Sequence, residues 1–360
     1  MTDFPTRRAR AARLAQDAGV AALAFVPGPN FYYLSGLHFH LMERPTLMFI
    51  TPSGAVAAIM PELERSKWAA AFPDAETFYW QDSDGYAAAF AACSALFDGP
   101  IGVEGMRMRM FEAAALPGQV VDAEPHLAAL RIAKDADEVA ALRRAIAISE
   151  AALAEVVAQA RAGDTETALA GRLKQALLHH GADGFAFDPL VLSGPNAADC
   201  HGTPGDRPLA PGDTLLVDFG AQFAGMNADI TRTLFCEHIP DQSLAIYETV
   251  LAANARGKTV AAPGVTCDQV DKETTQVLRA SEFAGMIVHK TGHGLGLDVH
   301  EAPQVMIGNH TALAPGMVIT IEPGLYAPGQ LGVRIEDDVL ITPEGCESLT
   351  HFPREAQSFG

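Results

Sequence analysis

Asp218 and Asp229 lie in TLLVDFGAQFAGMNADITRTL, residues 214–234, where the neighbouring positions are mostly apolar. Leu215, Val217 and Phe219 alternate with Thr214, Leu216 and Asp218, the period of a β-strand. A second strand pattern covers Asn227–Leu234, and the small residues Ala221–Gly225 separate the two as a turn. A symmetric hairpin centred between Phe223 and Ala224 sets Asp218 directly across from Asp229. Opposed side chains have Cβ atoms about 5 Å apart, so two carboxylates there repel. They must share a proton, be neutralised otherwise, or hold a cation. The same device recurs in VITIEPGLYAPGQLGVRIEDDVLIT. Strand Val318–Glu322 and strand Val333–Ile341 flank a connection whose midpoint is Gly329, which opposes Glu322 and Glu336. Four converging carboxylates predict divalent cations. Oxygen ligands alone suit Ca²⁺ or Mg²⁺, and one imidazole moves the preference to Mn, Fe, Co or Zn.

HKTGHGLGLDVHEAP, residues 289–303, offers that imidazole. His293 sits between Gly292 and Gly294, where the backbone can come close to other groups. His300 follows seven residues later. No GK[ST] or GxGxxG spacing makes these glycines a phosphate loop. His201, in VLSGPNAADCHGTPGD, reads in isolation as a loop residue.

The ordered set Asp218, Asp229, His293, Glu322 and Glu336 resembles the ligand set of the dinuclear pita-bread metallopeptidases. That family includes methionine aminopeptidase, aminopeptidase P and prolidase. VDFGAQFAGMNADITRT, GHGLGLDVHEAP, IEPGLY and GVRIEDDV carry the resemblance, as does FDPLVLSGPNAADCHGTPGDRPLAPGD for the Xaa-Pro branch. It runs from about Ala129 to the C-terminus. Creatinase-like relatives share the fold without the full ligand set, which is complete here.

The resemblance implies an α+β architecture: a pita-bread catalytic domain over 129–360, preceded by a smaller creatinase/prolidase-type α/β domain over 1–128 that covers the active site. It implies that Asp218 binds one metal, that Asp229 and Glu336 bridge two, and that His293 and Glu322 complete the second. Glu322 is expected to shuttle the proton, His300 to hold the oxyanion, and His201 to orient the substrate. Mn²⁺ is the expected metal, with Co²⁺ or Zn²⁺ as alternatives. The implied activity is cleavage of the Xaa-Pro bond in dipeptides, by a homodimer. The alternatives are an aminopeptidase P acting on longer peptides, a non-peptide hydrolase or lyase of the same fold, and an inactive binding module. A dipeptidase must also recognise a free carboxylate, a task that suits arginine. Arg334, two residues from Glu336 on one strand face, and Arg44, before a strand of the N-terminal domain, are the candidates.

The elements that must position these groups are legible in outline. VAALAFV, TLMFITPSGAVAAIM, ETFYW and IGVEG read as strands, and Arg8–Ala18, Glu62–Ala71 and Tyr86–Phe97 as helices. A long helix begins at Asp135, whose spacing to Glu138 is that of a capping box, and Gly163 is placed to end it. A second runs between Asp164 and Gly181. No internal repeat is evident. The 360 residues allow two domains, and a net charge of −19 excludes nucleic acid and anionic membranes as partners. No apolar run approaches a membrane span. The N-terminal stretch is amphipathic without an apolar signal core. The five cysteines are scattered without zinc or redox spacing, which predicts reduced thiols and a cytoplasmic protein. Cys200 beside His201 does not make a nucleophile pair, because adjacent residues rarely form a triad.

Overall fold

The computed structural model describes residues 3–116 and 118–360. The chain divides into two compact units, Met1–Arg131 and Ile132–Gly360. The first contains a mixed six-stranded sheet with the order Glu76–Trp80, Val56–Pro61, Leu47–Ile50, Ala22–Phe25, Ile101–Val103, Val120–Asp122. Its inner strands are buried on both faces, so they read as unbroken apolar runs rather than alternation. Val120–Asp122 has too few apolar residues to announce itself in the sequence. The first helix, Phe4–Asp17, starts four residues before the expected Arg8, whereas the next two are shorter than the periodicity suggests. Ala87–Ser94 stops three residues before Phe97, and Glu62–Glu64 is a 3-10 turn ahead of Arg65–Ala71.

The second unit opens with helix Ala136–Gln159. Its Asp135 and Glu138 side chains accept each other's backbone N–H, the reciprocal cap expected from their spacing. Gly163 does not end it. Ala160 turns extended at the C-cap, and Gly163, at φ +89°, lies in the following turn. Helix Glu166–His179 follows, capped by Thr165. Helices Asp241–Val260 and Cys267–Arg279, the latter capped by Thr266, repeat the arrangement about a hundred residues on. Each helix pair precedes three successively paired antiparallel strands. The first set is Leu190–Ser193, Thr214–Phe219 and Ile230–Cys236; the second is Gly292–Gly294, Val318–Ile321 and Asp337–Thr342. The unit therefore has an internal repeat of plan that the sequence hides, because the repeat lies in element order and strand pairing rather than in side-chain identity.

Candidate metal centre

The first hairpin departs from the expected register. Ala224 and Gly225 both have positive φ, +49° and +82°, the signature of a two-residue I′ turn whose twist matches its flanking strands. The centre therefore lies between Ala224 and Gly225. Asp218 pairs with Thr231, not with Asp229. The pairs Phe219–Ile230 and Gln222–Asn227 put Asp229 across from Gly220. A Cβ on Gly220 would lie 1.7 Å from the Ala228 carbonyl oxygen, so only glycine admits this approach. The correction moves the partner by two positions. Because side chains alternate with period two, such a shift keeps both carboxylates on one face.

In the second hairpin the ladders on either side, Gly324–Arg334 and Ile321–Asp337, put Glu322 across from Glu336. The long strand expected over Val333–Ile341 is broken there. The Glu322 N–H donates to Thr291 O (2.8 Å) and the Glu336 N–H to Thr231 O (3.1 Å), so each backbone turns to an outer neighbour. That second bond joins the two hairpins and brings Glu336 to the Asp218 face. Ligand atoms of Asp218, Asp229 and Glu336 all lie within 4.8 Å of one another, as do those of His293, Glu322 and Glu336. Glu336 belongs to both groups.

His293 occupies the short strand Gly292–Gly294. A Cβ on either glycine would meet a carbonyl oxygen at 2.1 Å, Thr320 for Gly292 and Ala302 for Gly294. Its Nδ1 lies 3.0 Å from Gly294 O. A carbonyl only accepts, so Nδ1 carries the proton of the neutral ring and Nε2 presents a lone pair. Burial, reinforced by the nearby His300, pushes His293 down to about 3. The Nε2 lone pair then faces Glu322 Oε1 at 3.3 Å and Asp229 Oδ2 at 3.6 Å. Acceptors facing acceptors repel unless a cation stands among them. Asp218 Oδ1 is buried with no hydrogen-bond partner. Burial, together with the neighbouring carboxylates, also raises Asp229 and Glu336 well above the usual carboxylate range. The donor set therefore fits divalent metal, one imidazole nitrogen among carboxylate oxygens.

Arg334 is only 4 % exposed and its guanidinium is engaged. Nη2 donates to Asp218 Oδ2, Nε to Thr231 Oγ1 at 2.9 Å, and Nη1 to the Tyr326 hydroxyl at 2.7 Å. It faces the cavity, but as a brace for Asp218. Thr231 in turn donates to Glu336 Oε2 at 2.6 Å. Tyr326 OH lies 2.8 Å from His289 Nε2. Arg44, in the N-terminal unit, is held by both oxygens of Asp82 and by Glu43. His300 is exposed, with its ring centroid 3.9 Å from that of His293. Its Asp229–His293–His300 grouping also lies within ligating distance. His201 is exposed, and its backbone N–H donates to Asp199 Oδ1 at 3.2 Å.

Asp218, Asp229, His293, Glu322, Glu336, His201, His300 and Arg334 line one cavity of about 760 Å³, and Arg44 is not part of its lining. Sequence reasoning missed Thr231, His289, Lys290, Tyr326 and Asp338. Asp338 Oδ2 accepts the Asp229 N–H at 3.2 Å. IEDDV carried a signal for it, since alternation returns position 338 to the face of 336.

The family model described as "Metallopeptidase family M24" matches residues 140–343, and the "Creatinase/Prolidase N-terminal domain" matches 7–133. The probable dipeptidase PepE of Mycobacterium tuberculosis is 35% identical over 363 aligned residues, 98% of this chain and 96% of that protein. The Xaa-Pro dipeptidase of Pyrococcus furiosus is 36% identical over 226 residues, 63% of this chain and 65% of that one. The crystal structure of a prolidase from Thermococcus sibiricus superposes with a TM-score of 0.94 at 31% identity, covering 100% of both chains. That of dipeptidase PepE from Mycobacterium ulcerans gives 0.92 at 33% identity, covering 99% of this chain and 98% of that one. With its helix-and-strand repeat, its carboxylate–imidazole cavity and these likenesses, the chain belongs to metallopeptidase family M24 and is a metal-dependent hydrolase with a creatinase/prolidase-type N-terminal domain.

Proposed function

We propose that the protein is a two-metal Xaa-Pro dipeptidase. The observation that carries this is the convergence of four carboxylates and one neutral imidazole in a single cavity, with Glu336 common to two ligating groups. Asp218 would hold one ion, Asp229 and Glu336 would lie between two, and His293 with Glu322 would complete the second. Mn²⁺ suits a site of one nitrogen among oxygens, with Co²⁺ or Zn²⁺ as alternatives. The preference for proline in second position is taken from the relatives named Xaa-Pro dipeptidase and prolidase. The homodimer follows from the family resemblance. Among the described residues no helix is long and apolar enough to cross a membrane, and a cytoplasmic setting accords with the free cysteines.

When bound, the ions would supply a water acidic enough to attack at neutral pH and would polarise the scissile carbonyl. The protein's own groups then manage protons and position. Burial raises Glu322 above the usual carboxylate range, toward values at which a carboxylate both takes and returns a proton. Glu322 accepts the attacking water's proton and delivers it to the imide nitrogen as the C–N bond breaks. That nitrogen carries no hydrogen beforehand, so it leaves well only if protonated. His300 donates to the developing oxyanion, and His201 holds the substrate.

The test compares Ala-Pro with Ala-Pro-Gly after chelation and after Mn²⁺ return. Chelation should abolish cleavage, Mn²⁺ should restore it, and Ala-Pro should be preferred. His293→Ala should lose metal, whereas His201→Ala and His300→Ala should keep metal and lose rate. Activity in a metal-free preparation would overturn the mechanism. A preference for Ala-Pro-Gly would favour the aminopeptidase P reading.

A further inference from the structure

The cavity is an unwelcoming place for a substrate carboxylate. Asp218, Asp229, Asp298, Glu322 and Glu336 line it. Its lining includes two basic side chains, Arg334 and Lys290. Arg334 already pairs with Asp218. The partner the structure gives the Lys290 ammonium is the Gln304 side-chain oxygen, which is neutral. No carboxylate among the described residues pairs with Lys290.

The placement of Lys290 is built. It precedes strand Gly292–Gly294, and Gln304 lies on the antiparallel partner Glu301–Val305, at the end where Gly292 pairs with Val305. Gln304 Nε2 donates to Glu301 O at 3.2 Å. That bond fixes the amide so that its oxygen points to the ammonium. An ammonium has three donors, so two remain for a ligand. His293 of the metal group stands three residues further on, within strand Gly292–Gly294. Lys290 and His300 line the same cavity as the metal-ligating group.

A dipeptide's terminal carboxylate follows the scissile carbonyl by one residue, at most about 3.6 Å of extended chain. It must therefore meet its counter-charge inside this cavity. A tripeptide places an amide there and carries its carboxylate one residue further out. We propose that Lys290, oriented by Gln304, reads the C-terminal carboxylate of the substrate and thereby selects dipeptides; this rests on the dipeptidase reading above. Arg334 and Arg44 are thereby relieved of that role, being held by Asp218 and by Asp82 with Glu43.

The test reads binding rather than turnover. The ligands are the reduced-bond analogue of Ala-Pro, with a methylene in place of the scissile carbonyl, and its C-terminal amide. Calorimetry on the Mn²⁺-loaded enzyme should find the acid at least about tenfold tighter than the amide, the usual effect of a charge-assisted contact. In Lys290→Gln that ratio should collapse to within about threefold, and in Lys290→Arg most of it should persist. An unchanged ratio in Lys290→Gln would overturn the assignment. Wild-type cleavage of Ala-Pro and Ala-Pro-Gly is measured in parallel. If Ala-Pro is preferred and the ratio does not move, Lys290 alone is wrong. If Ala-Pro-Gly is preferred, the dipeptidase reading falls, and this inference with it.

Discussion

Glu336 and Asp337 are adjacent, both carboxylates and both buried, yet their surroundings drive them in opposite directions. Glu336 faces Asp218, Asp229 and Glu322, and burial with that company raises it well above the ordinary range. Asp337 points to the other face. Burial alone would raise it too, but Arg232 and Lys258 hold it below the usual value. Arg232 Nη2 and Lys258 Nζ each lie 2.7 Å from one of its oxygens. Arg232, 1 % exposed, is completed by the carbonyls of Thr231, Glu336, Phe352 and Pro353. One face thus contains its own counter-charges. The other sets four carboxylates against the single guanidinium of Arg334. The difference separates an acid whose charge the fold neutralises from acids whose charges it leaves facing one another, which burial or residue type alone would not do.

The sharpest way to break this comparison is to neutralise each side in turn. Glu336→Gln should lower metal content and cut turnover by about two orders of magnitude or more, since metal-borne stabilisation amounts to several kcal/mol. The metal-stripped variant should be no less stable than stripped wild type, because a repelling charge has been removed. Full metal content in an active Glu336→Gln protein would undo the assignment.

Asp337→Asn should do the reverse. It leaves Arg232 and Lys258 without their counter-ion, a loss of about 3–5 kcal/mol for a buried pair broken on one side. Lys258 is partly solvated, so the lower end is expected. Denaturant titration reads the loss, and elemental analysis should find metal retained in the folded protein. A stability change below about 1 kcal/mol would show that this face is not the structural one.

A smaller effect concerns pH. In the metal-stripped protein burial and the neighbouring carboxylates raise Asp229 and Glu336 above their ordinary values of 3.8 and 4.5. Their contribution to stability is fully present below those values and is lost as pH rises through the folded ones. Asp337, being lowered, contributes above 3.8 and loses that contribution as pH falls through its folded value. Bound metal replaces the protons on the first face. The melting temperatures of Mn²⁺-loaded and stripped protein should therefore diverge by a few degrees more at about pH 8 than at about pH 5. A gap that narrows as pH rises would contradict the proton-holding face.

Both faces follow from alternation, which is why so much of the centre was legible. Asp218 and Asp229 stayed on one face although the turn moved from Phe223–Ala224 to Ala224–Gly225, because the resulting shift was even. The glycines around His293 announced a close backbone approach, and carbonyl oxygens supply it on both sides. The cap at Asp135 and Glu138 was equally readable, being a contact within one turn of chain. Alternation in IEDDV separates Asp337 from Asp338 by face but does not reveal their partners, which come from distant segments: Arg232 and Lys258 for one, the Asp229 backbone for the other.

The sequence by itself determined which residue types could bind metal, which strand face each occupies, and the family to which the chain belongs. These depend on local period, turn chemistry and motif, all carried by neighbours along the chain. Only the tertiary structure decided that Glu336 joins both hairpins, and that Arg334 is held by Asp218 while no acid among the described residues holds Lys290. Those outcomes depend on which long-range hydrogen bond or ion pair satisfies each buried group. That choice is made between segments a hundred residues apart, where linear spacing carries no information.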